Sequence, residues 1–237
     1  MTARLLSWPN GLKVTDFTRV SGPVSAGSSQ NLTLTGTSQH ISAVKSPIVF
    51  NVSVPPQQGQ GARRVNGLMT ALRAGANAIR FPFNVTNEMP DPSDLGLSAF
   101  QELNWSNGEP WSNGRGWQGS YPTETITAAA DADTSIINLG STSWGDKLGI
   151  GDYVGFRSHF ALYEITQDYY LEPNKYRVWP PLRKAITTDD VATLEPTMVV
   201  RSVGEFSRTK NPAIWQGQTI TFVEVLDDQV RTYYTED

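Results

Sequence analysis

Apolar and polar residues alternate along most of this chain. QNLTLTGT, from Gln30, and SPIVFNVSV, from Ser46, place apolar side chains at every second position and are rich in β-branched residues, which predicts half-buried strands. Pro55 and Pro56 end the second strand, because neither can donate to a ladder. One segment then changes period. In QGARRVNGLMTALRAGAN, the residues Val65, Leu68, Met69 and Leu72 fall at i, i+3, i+4 and i+7, forming one apolar stripe that predicts a helix laid on a sheet. Arg63, Arg64, Thr70 and Arg73 lie off the stripe, and Gly75 is placed to stop the helix. Gly67 inside it costs about 1 kcal/mol relative to Ala, which close packing against a sheet would offset. NAIRFPF, from Asn77, reads as the strand leaving the helix.

From Pro90 to Tyr121 the periodicity vanishes into a Pro-, Gly- and Asn-rich excursion, and loops of that length are often functional. It contains NWSNGEPWSNGRGW, which spaces Trp105, Trp111 and Trp117 six residues apart. Patterning resumes at TSIINL, followed by GDYVGF, ALYEIT and KYRVW, short strands linked by tight turns that read as a meander or small barrel. Pro180 and Pro181 end that run and are expected to send the chain back to the first domain. TMVVRSV, QTITFVEVL and QVRTYY alternate again and are expected to rejoin the first sheet. The predicted fold is mainly β. A β-sandwich or barrel domain with one α-helix is built from residues 1–87 and 187–237, and a small β-barrel-like module is inserted at 88–186.

Composition narrows the class. A chain of 237 residues with 20 Gly, 15 Pro and seven Trp suits a loop-rich β protein with a substantial core. The absence of cysteine excludes disulfides and thiolate metal sites. MTARLLSWPNG lacks the apolar run of a signal peptide and no stretch approaches bilayer-spanning length, so folding in a cytoplasm without membrane insertion is expected. The net charge of −4 conceals an asymmetry. Residues 1–87 hold eight Lys or Arg and one acid, Asp16, whereas the remaining 150 hold 11 bases and 22 acids. A split of that size points to complementary surfaces, within the chain or between copies. The bases are not interleaved with aromatics in any nucleic-acid-binding motif.

Catalytic chemistry finds little footing. The two histidines, His40 and His159, read as surface or turn residues, and no metal-binding spacing joins them. No G-x-S-x-G elbow occurs. DADTSI opens like a calcium loop, but Ile136 stands where Gly is needed and Thr142 where Glu is needed. GIGDYVG lacks the Lys and the strand-to-helix context of a phosphate loop. The expectation is a protein with no catalytic residues, no cofactor and no metal.

The run from LGIGDYVGF through ALYEIT to YRVWPPLRKAI resembles the distal tail proteins of long-tailed, non-contractile bacteriophages. The resemblance is carried by Gly151, Asp152, Val154, Tyr163, Ile165, Val178, Trp179, Pro180, Pro181, Leu182 and Arg183. Arg183 is placed to anchor the exit to a carboxylate. The strand, helix and return strand of residues 41–85 look like the tail-tube-type domain of that family. The resemblance implies a structural virion protein of the tail tip or baseplate, a homo-hexameric ring in which six sheets complete one barrel. Its implied neighbours are the tail tube protein on one face and tail hub or fibre proteins on the other, with host attachment beyond. DNA would pass through the lumen without specific binding, and assembly would take place in the host bacterial cytoplasm.

The tryptophan excursion has no match in that pattern. Trp105, Trp111 and Trp117, with Arg115 beside them, either stack on sugar rings or pin the loop onto the domain beneath, and contact with a neighbouring subunit is a third use. A carbohydrate-binding module is therefore the competing reading, and a tail-tube or tail-completion protein of similar fold is another.

Overall fold

The structure is a computed structural model that describes residues 3–21, 31–32, 38–39, 46–86, 89–90, 95–96, 122–169, 171–204, 214–226 and 234–236. Strands β1 (Ala3–Ser7), β2 (Asp16–Arg19), β3 (Asn31–Leu32), β4 (Ser38–Gln39), β5 (Val49–Val54) and β6 (Gln57–Gln58) precede helix α1 (Gly59–Leu72). After it come β7 (Ala78–Pro82), β8 (Glu124–Ala128), β9 (Ile136–Leu139), β10 (Tyr153–Phe156), β11 (His159–Asp168), β12 (Lys175–Trp179) and β13 (Val191–Thr193). The described chain closes with β14 (Thr197–Val203), β15 (Ile214–Trp215), β16 (Gln218–Glu224) and β17 (Tyr234–Glu236). Among the described residues the fold is mainly β with a single α-helix. It divides into two compact units, residues 1–86 with 198–237 and residues 87–197.

The first unit is built on a seven-stranded mixed sheet of order β17-β1-β7-β14-β16-β5-β2. β1 pairs in parallel with β17 and β7, whereas β14–β16, β16–β5 and β5–β2 are antiparallel. The alternation expected of SPIVFNVSV is realised in β5, where Phe50, Val52 and Val54 are buried and their neighbours are partly exposed. In β14, by contrast, Met198, Val199 and Val200 are all buried, the signature of a central strand covered on both faces. Phe50 meets the rings of Phe17, Phe81, Phe83 and Phe222 at centroid distances of 5.0–5.8 Å, and Trp8 closes on Phe81 edge-on at 5.0 Å. This aromatic cluster gathers residues from four strands into one core, and its tilted and edge-on pairs are favoured ring geometries.

Helix α1 buries the predicted stripe, Val65, Leu68, Met69 and Leu72. It stops earlier than Gly75, because Arg73 adopts the left-handed conformation at φ 47°. Gly75, at φ +90°, then lies so close to the Ser202 carbonyl of β14 that a Cβ there would collide. Asn77 pins this corner. Its buried amide accepts from the Arg4 N–H at 3.0 Å and donates to the Ala71 carbonyl, tying β1 to the end of the helix. Gly67 departs from expectation. It is exposed, and nothing lies within 4 Å of where its Cβ would stand, so close packing does not require it.

In the second unit six short strands close into an antiparallel barrel, β10-β11-β12-β9-β8-β13, with β13 returning to β10. Register shifts in β8, β10 and β11 mark bulges, which bend the strands as closure demands. The interior is filled by Ile126, Ile137, Leu139, Trp144, Val154, Tyr163, Ile165, Tyr176, Val178 and Leu182, among others. Pro180 and Pro181 do end β12, but they do not send the chain back to the first unit. Leu182 is fully buried in the barrel core, Ile186 bridges to Ala130, and β13 completes the closure. Residues 187–197 therefore belong with the barrel, whose unit starts at 87 but extends eleven residues past the 186 expected from sequence.

Gly67→Ala should stabilise the first unit by about 0.5–1 kcal/mol, since it adds helix propensity without a steric cost. Equilibrium urea unfolding will read this as a higher midpoint for that unit.

Candidate functional site

The residues of the GDYV-to-WPPLR pattern converge on one construction in the barrel. Gly151, at φ +97°, sits in a tight turn in which the Gly149 N–H donates to the Asp152 carboxylate at 2.7 Å. That turn hands the chain to β10, where the Gly151 and Ile165 N–H groups bond to the Ile165 and Asp152 carbonyls across to β11. Four residues into β11, the fully buried Tyr163 places its hydroxyl under the WPPLR segment and accepts from the Arg183 N–H at 2.9 Å. The Leu182 N–H reaches the Thr134 carbonyl at 2.7 Å, and Asp133 donates back to Leu182. The Trp179–Pro180 peptide bond is cis. The Arg183 backbone N–H is thus held by a tyrosine hydroxyl.

His159 is not a surface residue. It opens β11 and is 3% exposed, with Nε2 2.8 Å from the Tyr163 hydroxyl and its ring edge-on to that phenol at 89°. Its Nδ1 faces Ser158 Oγ at 3.4 Å, and Ser158 helps hold the nearby Asp190 carboxyl below its usual range. The result is a polar spine, Asp190–Ser158–His159–Tyr163–Arg183, running from a surface turn into the barrel. In a hydrolytic triad the imidazole stands between an acid and a nucleophile. Here it stands between two hydroxyls, one of them buried, so the arrangement locks the β10–β11 turn to the 183–190 segment. The Thr187 N–H and hydroxyl both donate to Asp190, which holds that carboxyl below its usual range together with Ser158 and Lys184.

A second feature left no trace in the sequence reading. Glu124, on β8 and 1% exposed, accepts backbone N–H groups from Thr125 and Thr142 on one oxygen and from Ser143, Trp144 and Gly145 on the other. Burial pushes its carboxyl up, but these amides outweigh burial and bring it below the ordinary value of 4.5. The nest forces the 140–145 loop into close approach, since a Cβ on Gly140 or Gly145 would strike Glu124 itself. Trp144, fully buried beside it, donates its indole N–H to the Pro122 carbonyl.

Among the described residues no group of three His, Cys, Asp or Glu could hold a metal ion, and no helix is long and apolar enough to cross a membrane. Trp105, Trp111, Trp117, Arg115 and His40 lie outside the described residues. Clefts among the described residues include two with distinct linings. One, of about 440 Å³, runs between β1 and α1, and the other, of about 210 Å³, lies on the barrel beside His159, Arg157 and Glu195. The charge asymmetry follows the two units. The sheet unit has 12 bases and seven acids, the barrel unit seven bases and 16 acids, for net charges of +5 and −9. Comparison with protein-family models and with curated proteins finds no match for the chain.

Two substitutions test this construction. Tyr163→Phe leaves the Arg183 N–H without its acceptor in a buried site and should cost about 1–3 kcal/mol of barrel stability in chemical denaturation. Glu124→Gln keeps the shape but removes the charge. Because the folded value is depressed, the contribution of Glu124 is complete above about pH 4.5 and is lost as pH falls through the folded value. The wild type should therefore lose more stability than the Gln variant as acid is added below pH 4.5, with the two melting curves converging.

Proposed function

We propose that this chain is a structural virion protein, a ring subunit at the distal end of a phage tail that joins the tail tube to tip and host-attachment proteins. The observation that carries the reading is that the residues of the GDYV-to-WPPLR pattern form one folded device. The Gly151–Asp152 turn sets β10, and Tyr163 clamps the WPPLR segment through Arg183. A sheet bounded by β2 on one side and β17 on the other adds support. Two unlike edges suit head-to-tail pairing, which closes rings, better than the like-with-like contact of a twofold dimer. Pairing by a neighbour would also remove the hazard of an open edge.

In this role the chain acts by position and not by chemistry. The ring is a homo-hexamer, DNA passes through its lumen without specific contacts, and the barrel unit serves as a module for neighbouring tail parts. Opposite net charges on the two units suit stacking against partners of fixed polarity, since complementary charge sets register and speeds encounter.

Negative-stain imaging and sedimentation velocity of the purified protein should reveal closed rings of about six subunits. Arg19→Pro removes a donor within edge strand β2 without removing a ring from the Phe50 cluster and should reduce those rings to smaller species. A particle that remains monomeric at all concentrations and binds no isolated tail component would defeat the reading.

A further inference from the structure

One end of the barrel carries an apolar prong. The starts of β10 and β12 and the end of β11 meet there, as the pairings Tyr153 with Glu164 and Asp168 with Tyr176 require. Two of the four large apolar side chains that stand exposed among the described residues project from this end, Leu171 at 89% and Ile150 at 69% exposure.

The tip is rigid. The Glu172 N–H bonds the Tyr169 carbonyl and the Lys175 N–H bonds the Glu172 carbonyl, while Lys175 Nζ reaches Glu172 at 2.7 Å. Arg177 donates to the Tyr169 hydroxyl at 3.1 Å, and Lys175 lies over the Tyr169 ring. Two cations of the hairpin are thus engaged within it. A presented side chain on a pre-ordered loop loses little entropy on docking. Around the base of the prong, Asp146, Asp152 and Asp168 all lie close enough to Tyr176 that they reinforce the effect of its burial and push its phenol up to about 12. The prong is therefore apolar at its point and acidic at its root.

The sheet unit offers the converse. The cleft between β1 and α1, about 440 Å³, has Leu6, Gly67 and Ala71 as its apolar part, with Thr70 beside them and Arg4 and Arg73 contributing positive charge. α1 contains no acid, and Asp16 is the single acid in residues 1–86. The bare Gly67 leaves room that a larger residue would take.

We propose that the Leu171 hairpin of one copy docks into the β1–α1 cleft of a second copy. Leu171 enters beside Gly67 and Ala71, and the aspartates at the root of the prong face Arg4 and Arg73. The contact is heterologous, so it repeats head to tail around a closed assembly. It rests on the reading of the chain as a self-assembling ring subunit, and adds a second contact between neighbours beside the pairing of sheet edges.

The absence of cysteine makes the test direct. Glu172→Cys, which leaves Leu171 in place, and Thr70→Cys are made singly and mixed under mild oxidation, with Glu172→Cys mixed with Ser53→Cys as the control for random collision. Docking predicts a disulfide-linked heterodimer from the first mixture forming about tenfold or more faster than from the control, because a docked pair holds the thiols at high effective concentration. Arg73→Glu in the Thr70→Cys partner should remove that excess. Sedimentation of the unmodified protein runs beside it. Rings with no excess cross-linking overturn this contact and leave the ring reading standing, with the prong serving a different protein. No assembly and no excess cross-linking overturn both.

Discussion

Every strand must find partners for its backbone N–H and C=O groups, and the two units of this chain meet that demand in opposite ways. The barrel closes on itself through β13, which pairs with β8 on one side and β10 on the other. No strand of it is left with an open ladder, and the unit is complete with short strands of three to ten residues. The sheet unit ends at β2 and β17, which each pair on one side only in the described sheet. Its long-range order comes from the aromatic cluster around Phe50 and from the Asn77 pin between β1 and α1.

The closed barrel is tied internally by the Tyr163 clamp and the Glu124 nest. A sheet with two unlike edges is suited to joining like copies. The positive charge of one unit and the negative charge of the other would give the proposed joining a direction.

Periodicity made part of the fold legible. The α1 stripe, β5, β9 to β12, β14 and β16 were predictable because each has enough residues for a face to declare itself. β1, β2, β8 and β13 were not. ARLLS and ETITA carry weak alternation, and three residues of β13 are too few for a period, so pairing alone makes them strands. The module boundary slipped for a related reason. Two prolines read as an exit, but the burial of Leu182 and the bridge from Ile186 to Ala130 hold the following segment to the barrel. His159 read as a turn residue because nothing local announces that a phenol four residues on will hold its ring.

The sequence by itself determined the mainly-β class, the single helix and its buried face, the two-part organisation and the charge asymmetry, all of which depend on composition or on short-range spacing. It also held the Gly-Asp turn and the WPPLR segment as recognisable pieces. Only the tertiary structure decided that those pieces meet through a tyrosine hydroxyl, that a glutamate on β8 gathers donors from a loop about twenty residues on, and that Gly67 faces open space and not a packed sheet. The reason is physical: a hydrogen bond or a collision is fixed by where the closed barrel and the sheet bring distant atoms, and no local pattern encodes that distance.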